Sequence, residues 1–132
     1  MRGSCLCGTV RYEVERLTSP VAHCHCATCR KANASAYAST ARVARAEFRW
    51  TAGEDAVRSF ESSPGKIRRF CGVCGSHLVA DRAAQAHVIL RVATLDDDPG
   101  AGPSSHIWVS HDPAWLVDGA DTPRYAEWPP GR

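Results

Sequence analysis

The hairpin that organises the chain is predicted for residues 67–80, with the sequence IRRFCGVCGSHLVA. Residues 67–70 and 77–80 flank a Cys-Gly-Val-Cys-Gly turn, and runs of this kind around a glycine turn are typical of two paired strands. The turn contributes Cys71 and Cys74, which are separated by two residues. Such a pair can bind one metal ion, because a Zn–S bond is only about 2.3 Å long. The hairpin therefore predicts both a piece of antiparallel sheet and half of a metal site.

Two more cysteine clusters occur outside this hairpin. One is Cys5-Leu6-Cys7, and the other is Cys24-His25-Cys26-Ala27-Thr28-Cys29. With the hairpin pair, they account for all 7 cysteines of the chain. An odd number of cysteines, in a chain whose N-terminus has no apolar run, argues against a disulfide framework. Clustered cysteines of this kind are more often metal ligands or catalytic groups.

The spacing of the clusters predicts two metal sites of different kinds. The two outer clusters supply two thiolates each, which together complete a closed, structural zinc site. Its residues are Cys5, Cys7, Cys71 and Cys74. The middle cluster supplies three ligands from one short segment, and three protein ligands with one open position are the arrangement of catalytic zinc. Its residues are Cys24, Cys26 and Cys29.

Two other interpretations of these residues stay open. His23, His25 or His77 can close the middle site as a fourth ligand, which gives a ligand set that is common in structural zinc sites. Alternatively, the outer clusters hold a single zinc ion and the middle thiols are free. Three adjacent free thiols would be prone to oxidation, which disfavours that arrangement.

Short strands separated by turn residues predict a mainly β fold, with antiparallel strands in irregular sheets around the structural zinc. The predicted strands are 9–14, 48–50, 57–60, 67–70, 77–80, 87–92 and 106–109. Residues 96–105, which are rich in Asp, Gly and Pro, are predicted to form a surface loop. We expect one helical segment, residues 26–33, which begins at the second cysteine of the middle cluster.

Length and charge limit the classes of function. The 132 residues predict a single domain over residues 1–132. The formal net charge is +2, without the basic patch that nucleic-acid binding usually requires, so we expect no nucleic-acid partner. No apolar stretch approaches the roughly 18 residues of a membrane helix, and we expect a cytoplasmic protein without a membrane partner.

The motifs resemble those of the glutathione-dependent formaldehyde-activating enzyme family, which also includes the centromere protein V domain. The opening GSCLCGTVRYE at 3–13 is similar to the first family motif, and CHCATCRK at 24–31 is similar to the second. FCGVCGSHL at 70–78 is similar to the third. Further similarity runs through ATLDD at 93–97, residues 103–107, Trp115 and the Trp128-Pro129 pair. The resemblance covers residues 3–129.

The resemblance implies a mostly β fold similar to that of methionine sulfoxide reductase B, with one structural zinc and one zinc at the middle cluster. It also implies the addition of glutathione to formaldehyde, a reaction that is classed under the carbon–sulfur lyases. In that assignment the middle cysteines are catalytic and the outer four are structural. One departure from the family pattern is Ala34, where members usually have glycine, a residue that permits positive φ or a close backbone approach.

The donor set indicates thiol chemistry at the middle cluster. Three thiolates leave a zinc ion with a formal charge of about −1, which makes it a poor Lewis acid for hydrolysis. A substrate thiolate in the fourth position, poised to attack a small aldehyde, fits better. Arg30 and Lys31 follow the third cysteine and are candidates for binding a carboxylate of a glutathione-like thiol, although solvated surface charges explain them equally well.

Several residues and functions remain open at this level. Arg68 and Arg69 are expected on a strand face, and His106 as a structural histidine or a substrate contact. Trp108 and Trp115 are expected in the core, with the wall of a pocket as the alternative. The alternative to an enzyme is a non-catalytic zinc module for protein or nucleic-acid binding, because zinc ribbons use the same cysteine spacing. A redox enzyme with a reactive cysteine in the middle cluster is a third possibility.

Overall fold

The computed structural model describes residues 1–119 and 121–131, and within them the chain forms ten strands, one α-helix and five short 3-10 helices. The strands are β1 (Arg2–Ser4), β2 (Arg11–Val14), β3 (Val21–Cys24), β4 (Ala38–Ala44), β5 (Phe48–Ala52), β6 (Val57–Ser63), β7 (Lys66–Cys71), β8 (His77–Asp81), β9 (His87–Arg91) and β10 (Pro103–Ile107). The helix is α1 (Ala27–Asn33). The 3-10 helices are Arg45–Glu47, Glu54–Ala56, Val92–Thr94, Val109–His111 and Ala114–Leu116.

The strands form two sheets. The smaller sheet has the order β1-β2-β5 and is antiparallel throughout. The larger sheet has the order β10-β3-β4-β9-β8-β7-β6. All neighbours in it are antiparallel except β10 and β3, which run parallel. The predicted mainly β fold is therefore confirmed, with one parallel pair that the antiparallel prediction did not include.

The main core lies between one face of the larger sheet and the smaller sheet. Because side chains alternate along a strand, the cross-strand partners Val43 and Val88, and likewise Val79 and Leu90, share that face. They form one buried cluster with Tyr12 and its neighbours on β2. Cys5 and Cys71 belong to the same cluster and Cys74 packs against it, whereas Cys7 is exposed. Each outer cluster thus contributes to the core that joins the two sheets.

The opposite face of the larger sheet positions the middle cysteine cluster. Arg68 on β7, Ala80 on β8 and Ile89 on β9 are cross-strand partners, so they share this face. Two residues beyond Ile89, Arg91 lies on the same face, opposite Thr40 of β4. On this side, a second buried cluster is formed by Cys24, Cys29 and Ala38. The short helix α1 therefore sits at the end of β3, beside a polar sheet face rather than an apolar one.

Three sequence-based assignments are wrong in detail. Residues 103–105 belong to β10 and not to a loop, because Ser105 pairs with Ala22 of β3. The strand predicted for 106–109 ends at Ile107, since Trp108 has a φ of 63°. Trp108 and Trp115 are not core residues, with 57% and 80% of their surfaces exposed.

The short helix and strands β2 and β5–β9 overlap with predicted elements, whereas β1, β3 and β4 were not predicted. The domain predicted for residues 1–132 includes Ala120 and Arg132, which lie outside the described residues. Among the residues that the structure describes, none of the helices has the length and apolar character needed to cross a membrane.

Candidate metal centres

The outer cysteines converge on one point, as their spacing predicts. The sulfur atoms of Cys5, Cys7, Cys71 and Cys74 all lie within 4.8 Å of one another. The Sγ–Sγ distance is 3.5 Å between Cys5 and Cys7, and 3.9 Å between Cys7 and Cys71. Four sulfurs at about 2.3 Å from a central zinc ion would be about 3.8 Å apart in a regular tetrahedron. All seven cysteines are free thiols, so the donor set fits a zinc ion and the cluster can hold one.

Backbone turns hold the sulfurs of this four-cysteine cluster in place. In the first turn, the amide of Val10 donates to the Cys5 sulfur at 3.3 Å. In the second, the amide of Val73 donates to the Cys71 sulfur at 3.4 Å. The second turn closes through Gly75, whose φ of 79° is a left-handed conformation that glycine adopts without steric cost. The sequence C-x-x-C-G therefore produces this geometry directly.

The thiols of the four-cysteine cluster differ in acidity. Burial raises the pKa of Cys5 to about 11. A hydrogen bond from the Ser76 hydroxyl lowers the pKa of Cys74 to about 5. Metal ligation requires the thiolate form, so Cys74 is ready to bind a metal ion at neutral pH, whereas Cys5 must lose a proton on binding.

The middle cysteines form a second convergent group, the cysteine triad, which consists of Cys24, Cys26 and Cys29. Their sulfurs also lie within 4.8 Å of one another. Cys24 is the last residue of β3, Cys26 is the N-cap of α1, and Cys29 lies within the helix. The amide of Cys29 donates to the Cys26 sulfur at 3.4 Å, which caps the helix and fixes that sulfur. Three soft sulfur donors fit zinc, so the triad can hold an ion as well.

No histidine joins the triad among the described residues. The His25 ring is held on both sides, since Nε2 lies 2.8 Å from Nδ1 of His106 and Nδ1 lies 2.7 Å from Oδ2 of Asp112. His23 accepts or donates a hydrogen bond at Ser39, and His77 stacks on a phenylalanine ring. Within residues 1–119 and 121–131, the donor atoms that converge here are three thiols. The fourth-ligand alternative therefore has no support in the geometry.

The acidity of the triad is uneven, with one strongly acidic thiol. The hydrogen bond from Cys24 lowers the pKa of Cys29 to about 4, against the opposing effect of burial. The positive charge of Arg91 and a contact from Arg68 act in the same direction. The pKa of Cys24 is raised in turn, first by its hydrogen bond to Cys29 and then by burial. The site thus holds negative charge on Cys29 before any metal binds.

The two predicted carboxylate-binding residues occupy different places. The guanidinium of Arg30 donates to the carbonyl oxygens of His25 and His111, at 3.3 and 3.0 Å. It thereby fastens the segment after β10 to the start of α1. Lys31 is exposed and lines a cavity of about 470 Å³ beside Phe60 and Arg68. Whether either residue binds a carboxylate stays a prediction.

A second cavity opens directly onto the triad. It has a volume of about 520 Å³, and its lining includes the sulfur-bearing residues Cys24 and Cys29. This volume falls within the range of about 300–1,000 Å³ that is usual for small-molecule sites. Its cationic lining residues are Arg42, Lys66 and Arg91, and no described carboxylate lines it. The cavity therefore suits an anionic small molecule that reaches the thiols.

Trp108 borders the same cavity in an unusual conformation. Its φ of 63° lies in the left-handed region, which is rare for a bulky side chain and is often associated with functional sites. The turn places the indole at the cavity, where Ile107 and Ser105 also contribute. The prediction of a pocket wall by Trp108 is the alternative that the structure favours over a core position.

Sequence reasoning missed two arginines next to the triad. Arg68 lies on a face of β7 as expected, but it is only 1% exposed, and Arg91 on β9 is 4% exposed. Nη2 of Arg68 lies 3.9 Å from the Cys29 sulfur. A signal was available in the register of the β7–β9 strands, since both arginines fall on the face away from the valine core.

Ala34, where the resemblance implies glycine, adopts a left-handed conformation. It is the C-cap of α1, with φ of 48° and ψ of 44°. The alanine Cβ makes this left-handed conformation unfavourable, but the backbone retains it and the triad geometry is formed. The departure from the family pattern therefore changes local strain rather than the ligand set.

Comparison with known proteins agrees with this geometry. The family model described as glutathione-dependent formaldehyde-activating enzyme matches residues 1–111. The chain therefore belongs to the glutathione-dependent formaldehyde-activating enzyme family. The match includes every cysteine of both metal centres.

A solved structure is similar over most of the chain. It is the crystal structure of a Rhodobacter sphaeroides protein, with a TM-score of 0.66 and 24% sequence identity. The similarity covers 80% of this chain and 99% of that one, and it concerns the fold alone. A comparison with curated proteins found no match.

Proposed function

We propose that the chain is a zinc-dependent carbon–sulfur lyase that joins a glutathione-like thiol to a small aldehyde such as formaldehyde, or releases it. The observation that carries the proposal is the cysteine triad: three converging thiols and no fourth described donor, at the end of a cation-lined cavity. The four-cysteine cluster takes the structural role, because it is closed by its own ligands and built into the core.

The reaction joins the thiol sulfur to the carbonyl carbon. The sulfur lone pair forms the new S–C bond, the C=O π electrons move to oxygen, and the proton lost by the thiol is balanced by one gained at that oxygen. A zinc ion bound by the triad would supply a site at which the substrate thiol is held in its nucleophilic thiolate form. The residues of the chain then contribute orientation and proximity.

Positive side chains around the cavity support an anionic thiol as substrate. Glutathione carries two carboxylates, and Arg42 and Lys66 line the cavity without a carboxylate partner in its described lining. An arginine can bind a carboxylate through two parallel hydrogen bonds. We assign carboxylate recognition to these two residues, and Lys31 in the adjacent cavity is a further candidate.

The test is a direct assay of adduct formation. Zinc-loaded protein is mixed with glutathione and ¹³C-formaldehyde, and the rate of S-hydroxymethylglutathione formation is followed by NMR against the rate without protein. We expect acceleration by the wild-type chain, loss of acceleration in Cys26→Ser, and none with S-methylglutathione, which lacks the thiol. A Cys26→Ser variant that accelerates the reaction as well as the wild type would overturn the proposal.

Recognition of carboxylates is tested separately. We expect Lys66→Ala and Arg42→Ala to raise the KM for glutathione about tenfold each, because one charge-assisted contact is lost. The matched control is Arg16→Ala, which removes the same charge from an exposed arginine paired with Glu47, away from the cavity. Equal KM values in all three variants would exclude Arg42 and Lys66 from substrate binding.

A further inference from the structure

Two buried arginines next to the triad lack the partners that buried charges require. Arg68 is 1% and Arg91 is 4% exposed. Nε and Nη1 of Arg68, and Nε and Nη2 of Arg91, are inaccessible and have no hydrogen-bond partner. Among the described residues, neither guanidinium has a carboxylate within ion-pair distance; every such pair involves other side chains. Buried charges are strongly unfavourable unless they are compensated, and the anionic groups available to these two arginines are those at the triad, beginning with the Cys29 thiol.

Arg69, the neighbour of Arg68 in β7, forms an ion pair on the opposite face of the sheet. Arg69 points away from the triad, and its Nε lies 3.1 Å from Oδ2 of Asp81. Arg68, one residue earlier, lies on the opposite face, where the Cys29 sulfur at 3.9 Å is its hydrogen-bond acceptor among the described residues. Because side chains alternate along β7, Arg69 pairs with Asp81 on one face and Arg68 lies next to the triad on the other.

The positive charges of Arg68 and Arg91 also shift the pKa values of neighbouring side chains. The pKa of His77 is lowered by burial and by the charges of Arg91 and Arg68. Burial lowers the pKa of Arg91 itself, whereas the thiols of Cys29 and Cys24 act to raise it. Arg91 thus interacts favourably with the triad and unfavourably with Arg68. The field is directed at the place where negative charge accumulates.

Charge balance favours a singly charged anion as the fourth donor. Three thiolates and a dication leave a formal charge of about −1, so with two arginines the buried site carries about +1 when its fourth donor is neutral. A thiolate as fourth donor brings the total to about zero. The thiol gives up its proton to solvent on binding, and the negative sulfur enters a site that lacks one negative charge.

We propose that Arg68 and Arg91 form a buried cationic pair that selects an anionic thiolate, rather than water, as the fourth donor to a metal ion held by Cys24, Cys26 and Cys29. This inference rests on the proposed function. The arginines are positioning residues, since they act through the electrostatic balance of the metal centre and not on the aldehyde.

The experiment measures thiol affinity without any assay of activity. The full chain is loaded with zinc, or with cobalt(II) as a spectroscopic substitute, and titrated with 2-mercaptoethanol. This uncharged thiol makes no use of carboxylate recognition by Arg42 or Lys66. Calorimetry gives the Kd, and the sulfur-to-cobalt charge-transfer absorption reports the added thiolate. Metal analysis establishes that two ions remain bound.

We expect Arg68→Met and Arg91→Met each to weaken 2-mercaptoethanol binding at least tenfold, with a smaller rise in charge-transfer absorption. The matched control is Arg69→Met, which removes the adjacent charge from the other face and should leave the Kd unchanged. If Arg68→Met loses the triad metal and Arg68→Lys retains it, this result also supports the role of the cationic pair.

Arg68→Lys and Arg68→Gln keep the test decisive if a methionine variant does not fold, because both side chains are polar and differ in charge. Lysine should preserve the Kd within about threefold, and glutamine should not. Equal thiol affinities for wild type, Arg68→Lys and Arg68→Gln would overturn this inference alone. A wild-type protein that holds two metal ions and binds no thiol would overturn the proposed function and this inference together.

Discussion

The two cysteine clusters use the same ligand chemistry in opposite surroundings. The four-cysteine cluster lies at the edge of the core between the sheets, and its four sulfurs lie within 4.8 Å of one another. The cysteine triad lies on the other side of the larger sheet, with three thiols and a cavity of about 520 Å³. Beside it are two buried arginines that form no ion pair with a described carboxylate. If the triad takes a substrate as we propose, ligand number and surrounding charge, rather than ligand type, distinguish it from the four-cysteine cluster.

Replacement of one cysteine in each cluster is the strongest test of this difference. We expect Cys71→Ser to prevent folding, because a structural zinc contributes about 10–16 kcal/mol of apparent binding free energy in small zinc domains. Cys26→Ser should retain the fold and lose one metal ion. Circular dichroism with metal analysis measures both. A folded Cys71→Ser variant, or an unfolded Cys26→Ser variant, would reverse the roles of the clusters.

Metal removal should also distinguish the clusters. With three protein ligands instead of four, the triad is expected to release its metal about tenfold faster than the four-cysteine cluster when a chelator is added. Glutathione should slow the fast phase alone, because a fourth sulfur donor completes that site. Release is followed with a colorimetric zinc indicator. A single phase, or equal protection of two phases by glutathione, would contradict the difference in ligand number.

The cysteine clusters could be predicted from sequence because metal ligation depends on local spacing. The C-x-C and C-x-x-C-G turns place sulfurs within a few ångströms regardless of the rest of the fold, and the predicted groupings converge as expected. The β7–β8 hairpin could be predicted for the same reason, since its strands flank one of these turns. The turns and the hairpin depend on residues that are close in the chain, whereas the grouping of Cys7 with Cys71, 64 residues apart, could be predicted from the number of ligands that a zinc ion takes.

Features that depend on long-range packing could not be predicted in this way. The segment Pro103–Ile107 has the composition of a loop and becomes a strand through its parallel pairing with β3, some 80 residues earlier in the chain. Strands β3 and β4 were missed because both lack the apolar alternation of a strand with one buried face. Arg68 has the sequence context of a solvated strand residue, and its burial follows from α1 and the triad on that face.

Each cluster also has a residue with a left-handed backbone conformation, Gly75 at the four-cysteine cluster and Ala34 near the triad, and substitutions there should have smaller effects. Gly75 closes the C-x-x-C-G turn at φ of 79°, and a Cβ built there would meet no atom within 4 Å. Gly75→Ala should therefore cost about 1–2 kcal/mol through the left-handed conformation alone. Urea unfolding of the zinc-loaded protein measures this. The control is Gly102→Ala, which has equally open space without a positive φ. Equal stability of the two variants would mean that the turn does not need glycine.

At Ala34, near the triad, we expect the opposite effect on stability. It holds the left-handed C-cap of α1 with an alanine side chain, so Ala34→Gly should stabilise the protein by about 0.5–1 kcal/mol. The larger conformational freedom of glycine in the unfolded chain keeps the gain below the full steric cost. Ala36→Gly, at a position without positive φ, should be neutral or destabilising, and urea unfolding compares the two. Ala34 lies about one turn beyond Cys29, and its amide donates to the carbonyl oxygen of Arg30 rather than to a sulfur. Metal content and thiol affinity should therefore not change. A gain in stability accompanied by weaker thiol binding would instead show that strain at this cap shapes the triad.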